Sequence, residues 1–188
     1  MKIMCEIWVG LGLLVAFAGS VCDAATALRV AELRCEYLVD PLGLDTREPR
    51  FSWKLVDEGK VRGQKQTAYR IIVEPAGADG TVFWDSGKVA SDQSVNVVYA
   101  GGALTSNLDC RWKVRVWDRA GTPTAWSAPA RFSTGLLDAS DWRAEWIRLR
   151  EADEVKHIWY RKTFSLDEVP ARAFAHLCSI GYHELFVN

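Results

Sequence analysis

The sequence is short of almost everything that marks a chemical site. Its 188 residues include three histidines and five cysteines, with no CxxC pair and no Cys/His spacing of the kind that ligates zinc. No GxSxG, P-loop or GxGxxG motif occurs, so nothing in the chain points to a serine hydrolase, a nucleotide phosphate cradle or a dinucleotide fold. An excess of one charge is also missing. Against 24 acidic side chains stand 23 basic ones, for a net charge of −1, which offers no electrostatic attraction for nucleic acid or an anionic membrane. Helical periodicity is absent outside the N-terminus. The long apolar run, Ile7 to Ala18, is too short to cross a bilayer as a stable helix.

That run has the make-up of a secretory leader. Lys2 precedes it and small residues follow it, with Cys22-Asp23-Ala24 presenting small residues where a signal peptidase reads. Cleavage is expected after Ala24, with Ser20 as second choice. Residues 1–24 are therefore read as a signal peptide and the protein as secreted or periplasmic. Lipid attachment at Cys22 is disfavoured by the bulk of Val21. Without Lys2, Glu6 and Asp23 the 23 basic and 24 acidic side chains become 22 and 22. Three cysteines then remain, Cys35, Cys110 and Cys178. Their odd number and wide spacing predict free thiols rather than a disulfide framework, with one bridge plus one free thiol as the alternative.

Tryptophan and strand patterns are plentiful. Eight of the nine tryptophans lie in the body of the chain, where aromatics suit half-buried sheet surfaces. In Arg111 to Asp118, Trp112, Val114 and Val116 alternate with Arg111, Lys113 and Arg115, giving one apolar and one basic face. Asp118 to Thr124 is a turn. Trp126-Ser127 and then Arg131-Phe132-Ser133 are read as the return strand. Upstream, strands are predicted over Leu28–Cys35, Phe51–Leu55, Gln66–Glu74, Val82–Trp84 and Ser94–Tyr99, punctuated by Gly- and Pro-bearing turns about every ten residues. That is the spacing of a β-sandwich. Residues 136–145 form a linker with a short helical turn that Ser140 or Asp138 can cap. Beyond it, Trp146-Ile147, Ile158–Leu166 and Ala173–Asn188 are read as strands of a second unit, which two or three strands alone cannot stabilise.

Several motifs in order resemble the N-terminal region of bacterial α-L-rhamnosidases. They are Leu42-Gly43-Leu44-Asp45-Thr46, Pro49-Arg50-Phe51-Ser52-Trp53, the run from Gly63 to Ile71, Trp84-Asp85-Ser86-Gly87-Lys88-Val89 and the run from Arg111 to Asp118. The likeness continues through Trp126-Ser127, Phe132, Gly135-Leu136-Leu137 and Trp142 to Trp146-Ile147. It implies an all-β chain in which residues 25–135 form a fibronectin-type-III-like (immunoglobulin-like) sandwich. Residues 146–188 would open an incomplete jelly roll, with Arg161 to Phe164 and Gly181 to Leu185 at family positions. In such enzymes a helical barrel much further along carries the catalytic carboxylates, and the reaction is hydrolysis of terminal α-L-rhamnosyl groups without a redox cofactor. The partners implied are the downstream catalytic domains of the same polypeptide and, through them, rhamnose-containing glycosides.

The resemblance carries no catalytic, cofactor-binding or metal residue onto this chain. Inverting hydrolysis needs two carboxyl groups roughly 6.5–9.5 Å apart, and no pattern here suggests such a pair. Asp40, Asp45 and Glu48 flank turns, Asp85 suits an Asx-turn, and His157, His176 and His183 are scattered. Two binding features stand out. Trp126 is expected to stack on Arg111, Lys113 or Arg115 as a structural cation–π ladder. Trp142, Trp146 or Trp159, if exposed, could stack on sugar. One departure matters for the sandwich: Cys110 stands where fibronectin-type folds place a tyrosine whose hydroxyl braces the preceding corner. That brace must be rebuilt or lost. The other functional class open to the sequence is a stand-alone fibronectin-like module that binds glycan or protein outside the cell.

Overall fold

The computed structural model describes residues 26–77, 80–148, 158–170 and 172–187. The leader and its cleavage sites lie outside these residues, as does His157. Alternating apolar positions in the first two-thirds of the chain build seven strands in two antiparallel sheets. They are β1 (Leu28–Cys35), β2 (Arg50–Asp57), β3 (Ala68–Pro75), β4 (Trp84–Asp85), β5 (Val97–Val98), β6 (Asp109–Trp117) and β7 (Ala130–Ser133). One sheet has the order β1-β2-β5 and the other β4-β3-β6-β7. The chain thus crosses between the sheets after β2, β4 and β5, and the fold closes as a β-sandwich.

The inward residues of the two sheets meet in one core. In β6, Cys110, Trp112, Val114 and Val116 are buried, while Arg111, Lys113 and Arg115 face outward. Tyr69, Ile71 and Val73 do the same in β3. Phe51 of β2 bridges the layers, its ring 4.5 Å from Trp112 and 5.8 Å from Phe132. Each of these fully buried side chains is worth about 1.5–3 kcal/mol of burial. Trp53, Trp112 and Trp117 are buried, and Trp84 packs edge-on against Tyr99, so packing accounts for these rings.

Strand boundaries differ from the sequence reading in places with physical causes. β5 is two residues long rather than spanning Ser94–Tyr99, because Asn96 takes a left-handed φ of 56° and interrupts the ladder. β1 carries a bulge between Ala31 and Arg34, with Glu32 at φ 48°. Trp126-Ser127 is not ladder. Pro123 and Pro129 lack the amide a regular strand needs, and residues 123–127 follow β6 by another route. Thr124 N and Ser127 N donate to the carbonyls of Val116 (2.8 Å) and Val114 (2.9 Å). In return Val116 N and Val114 N donate to the hydroxyls of Thr124 (3.2 Å) and Ser127 (3.1 Å). Side-chain oxygens take the place of strand carbonyls.

The missing corner tyrosine is also replaced. Cys110 is fully buried. The loop before β6 is instead held by the Thr134 hydroxyl, which donates to Thr105 O (2.7 Å) and accepts from Leu108 N (2.9 Å). Arg47 Nη1 donates to Leu104 O (2.9 Å), and the Tyr99 hydroxyl donates to Gly102 O (2.9 Å). The corner is rebuilt by three residues far apart in sequence.

After β7 the chain makes a single 3-10 turn, Ala139–Asp141. Asp138 occupies its N-cap position without a capping bond, because its carboxylate is drawn to Arg47 Nη2 at 2.7 Å. The strands predicted over Trp146-Ile147, Ile158–Leu166 and Ala173–Asn188 are not formed among the described residues, which are exposed there. Alternation alone does not make a strand; each needs a neighbour to take up its amides.

Candidate functional site

On the outer face of the four-stranded sheet, the basic side chains of β3 and β6 stand in a row, as strand alternation requires. Trp126 lies across them. Its ring centre is 4.8 Å from the Arg115 guanidinium, 5.6 Å from Lys113 Nζ and 6.0 Å from the Arg70 guanidinium. Arg115 is shared with Trp117 at 5.1 Å, and Lys88 lies 4.6 Å from Trp117 on the same face. The sequence named Lys113 and Arg115 correctly. Arg70 was missed, since its place beside Arg115 comes from the β3–β6 register. Arg111 does not join; its Nε donates to Glu74 (2.8 Å) instead. With every basic group engaged by an aromatic ring or a carboxylate, this face is a structural ladder rather than an open ligand site.

Several carboxylates are likewise occupied. Asp85 takes a two-pronged contact from Arg70, at 2.8 and 2.5 Å, and accepts Gly87 N (2.9 Å) as the expected Asx-turn. The Arg70 guanidinium lowers its pKa against the opposing effect of burial. Glu36, which sequence reasoning passed over, accepts the Arg50 side chain and its backbone amide (2.6 Å), and that side-chain pairing holds its carboxyl below the usual range. Asp118 is buried, which would raise it, yet amides of Thr122, Ala120 and Gly121 and the Thr26 hydroxyl leave it lowered. Asp40 accepts Arg131 N at 2.6 Å. Asp45 and Glu48 are exposed. Asp138 and Asp141 share one open groove, where Asp138 is paired with Arg47 (2.7 Å) and Asp141 accepts the Ser106 hydroxyl, and no group of three or more metal-ligating side chains occurs among the described residues.

Burial of Cys35 and Cys110 pushes both thiols up, Cys110 to about 12, and both are free; Cys178 is free and exposed. Gln66 is a buried hub that the sequence hid. It accepts Trp53 Nε1 (3.0 Å) and donates to Ser91 O and Gln93 O.

At the end of the sandwich where β7 leaves, Thr105, Asn107, Leu136, Asp141 and Trp142 line an open groove of about 690 Å³. Asn107 Oδ1 meets His176 Nε2 at 2.7 Å. Asp109 holds Arg131 (3.1 Å) and Arg172 together. The three tryptophans marked for sugar stacking are exposed, Trp142 by 40%, Trp146 by 70% and Trp159 by 82%, and Trp159 stacks on Phe186. His183 Nδ1 meets the Ser179 hydroxyl at 2.7 Å. Of the three rings, Trp142 lines the groove and Trp159 is taken up by Phe186.

The sequence profile described as "Rha78A-like, N-terminal immunoglobulin domain" matches residues 30–138. The chain belongs to this family. The match ends just past β7, so the Rha78A-like immunoglobulin domain is the two-sheet sandwich described above. An α-L-rhamnosidase of Streptomyces avermitilis is 41% identical over 155 residues, which cover 78% of this chain and 15% of that protein. A Formosa agariphila α-L-rhamnosidase is 32% identical over 179 residues, 79% of this chain and 18% of its own length. Among solved structures, the S. avermitilis α-L-rhamnosidase complexed with L-rhamnose superposes with a TM-score of 0.61 at 46% identity, over 65% of this chain and 12% of that one. The Dictyoglumus thermophilum α-L-rhamnosidase gives 0.59 at 36% identity, over 65% of this chain and 14% of that one. The Rha78A-like domain chain therefore spans less than a fifth of these relatives.

Proposed function

We propose that the chain is the non-catalytic N-terminal accessory region of a secreted α-L-rhamnosidase-like glycoside hydrolase. Its parent would cleave terminal α-L-rhamnosyl groups. The observation that carries this reading is the pairing of an immunoglobulin-like domain of the Rha78A family with relatives several times longer that are α-L-rhamnosidases. The occupied state of Glu36, Asp40, Asp85 and Asp118 on the sandwich fits a spacer or scaffold role, since a general acid and base need free carboxyl groups facing a substrate. Residues 146–188 are read as the opening of a jelly-roll domain that finishes downstream.

An aryl α-L-rhamnoside tests the reading. The purified 188-residue chain should give no release of the aryl alcohol, and a polypeptide extended by its natural downstream sequence should give turnover. Turnover by the 188-residue chain alone would overturn the assignment. The leader proposal has its own test: N-terminal sequencing of exported protein should begin at Ala25, and a start at Met1 would refute export by this route.

A second reading, a glycan- or protein-binding module, draws on the exposure of Trp146 and Trp159. Binding of L-rhamnose that quenches tryptophan fluorescence, and loss of that quenching in Trp159→Ala, would favour it.

A further inference from the structure

We infer that the 36–44 loop, at the end of the sandwich where the chain exits, is the surface on which the downstream part of a longer polypeptide docks. The inference rests on the accessory-region reading above. Its starting point is a costly backbone. Glu36, Tyr37 and Asp40 have φ of 49°, 65° and 46°, left-handed values that non-glycine residues adopt at about 1 kcal/mol or more each. Glu36 and Tyr37 are the central pair of a tight turn closed in both directions, Cys35 N to Leu38 O at 3.0 Å and Leu38 N to Cys35 O at 2.9 Å. Asn-Gly is the favoured pair for such a turn. Here the positions are given to a glutamate that clamps Arg50 and to a tyrosine lying 5.3 Å under that guanidinium.

The loop is tied to the sandwich after its apolar tip as well as before it, where Glu36 holds Arg50. Asp40 Oδ1 accepts Arg131 N, and Pro41 O accepts Ser133 N at 2.9 Å. What it holds out is apolar: Tyr37, Leu38, Val39 and Leu42 are 54%, 56%, 64% and 71% exposed. Four large apolar side chains within six residues, fixed in place, are the makings of an interface rather than of an ordinary solvated loop.

The occupant follows from where the loop sits. Gly135 N donates to Leu44 O at 2.7 Å, and a Cβ on Gly135 would stand 2.9 Å from Gly43 O. The exit of the chain is thus fastened to the base of the loop. Further along, Arg172 returns to the same end, lining an open pocket of about 400 Å³ with Pro41, Leu42 and Arg131. The chain beyond the sandwich thus already comes back to the loop once, at Arg172. The relatives place more than four-fifths of their length outside the matched region, ample chain to supply the apolar face that the loop lacks.

Hydroxyl-radical footprinting of the 188-residue chain and of the naturally extended polypeptide tests this. Oxidation of Tyr37, Leu38, Val39 and Leu42 should fall severalfold in the extended protein, while Val61, exposed at the opposite end, stays unchanged. Leu42→Asp, or Val39→Asp as a second variant, should restore oxidation of the remaining loop residues in the extended protein without altering the melting temperature of the 188-residue chain. Equal oxidation in both proteins would overturn the inference. So would protection that appears in the 188-residue chain alone and rises with its concentration, since the occupant would then be a second copy. An aryl-rhamnoside assay on the same samples separates the two readings. Loop protection without turnover refutes the rhamnosidase parent but not the docking, and turnover without protection does the reverse.

Discussion

Two stretches with similar sequence patterns have opposite fates. Arg111 to Trp117 and Gly181 to Val187 are both rich in the aromatic and β-branched residues that suit strands. The first lies between β3 and β7, with Trp112, Val114 and Val116 at 1% exposure or less. In the second, Tyr182, Phe186 and Val187 are 87%, 71% and 82% exposed and no strand is assigned. The difference is one of neighbours. A strand-prone segment exchanges water for sheet hydrogen bonds only when another edge is in register with it. Strand propensity is thus a property of the segment, and strand formation a property of its surroundings.

Substitution should separate the regions most widely at tryptophan. Trp112→Ala removes a ring at 1% exposure and should cost about 3–5 kcal/mol in denaturant unfolding. Trp159→Ala, at 82% exposure, should leave the midpoint unchanged. Similar losses for both would mean that the downstream region packs on the sandwich more than its exposure shows. Thr134→Val comes next. It deletes the hydroxyl that spans Thr105 O and Leu108 N and should cost about 1–3 kcal/mol. No loss would mean that Arg47 and Tyr99 brace the corner unaided. Trp126→Ala follows, with about 0.5–1 kcal/mol for each cation lost from its ring. An unchanged melting temperature would refute a structural role for the ladder.

The smallest effect is with pH. Glu36 and Asp85 have folded pKa values below their ordinary ones, held there first by Arg50 and Arg70. Their contribution is therefore fully present above the unfolded values, about 4, and is lost as pH falls through the lower folded values. The melting temperature should be flat near neutrality and drop below about pH 4. Glu36→Gln should flatten part of that drop, and an identical profile would show that the pair contributes nothing.

Much of the sandwich is legible because its signals are local. β1 runs over the predicted Leu28–Cys35, since a turn bounds it on the far side and its end residues are apolar. Trp126 on Lys113 and Arg115 follows from strand parity plus one turn. What was not legible depends on contacts distant in sequence. Thr134 replacing a tyrosine at position 110, Gln66 serving Trp53 and residue 91, and Arg47 reaching both Leu104 and Asp138 each need the fold before the residue means anything. The left-handed turn at Glu36 and Tyr37 gave no sign, because neither is the Asn or Gly such a turn ordinarily uses.

The Thr124 and Ser127 hydroxyls that stand in for strand carbonyls also decide how this sheet meets other chains. Along that margin the amides of Thr124 and Ser127 turn inward to β6, and Pro123 and Pro129 have no amide hydrogen to offer. On the opposite margin β4 is two residues long. A stray strand from another molecule therefore finds little to template on at either side of this sheet, and edge-to-edge pairing is left to β1 of the other sheet, whose ladder the bulge at Glu32 interrupts.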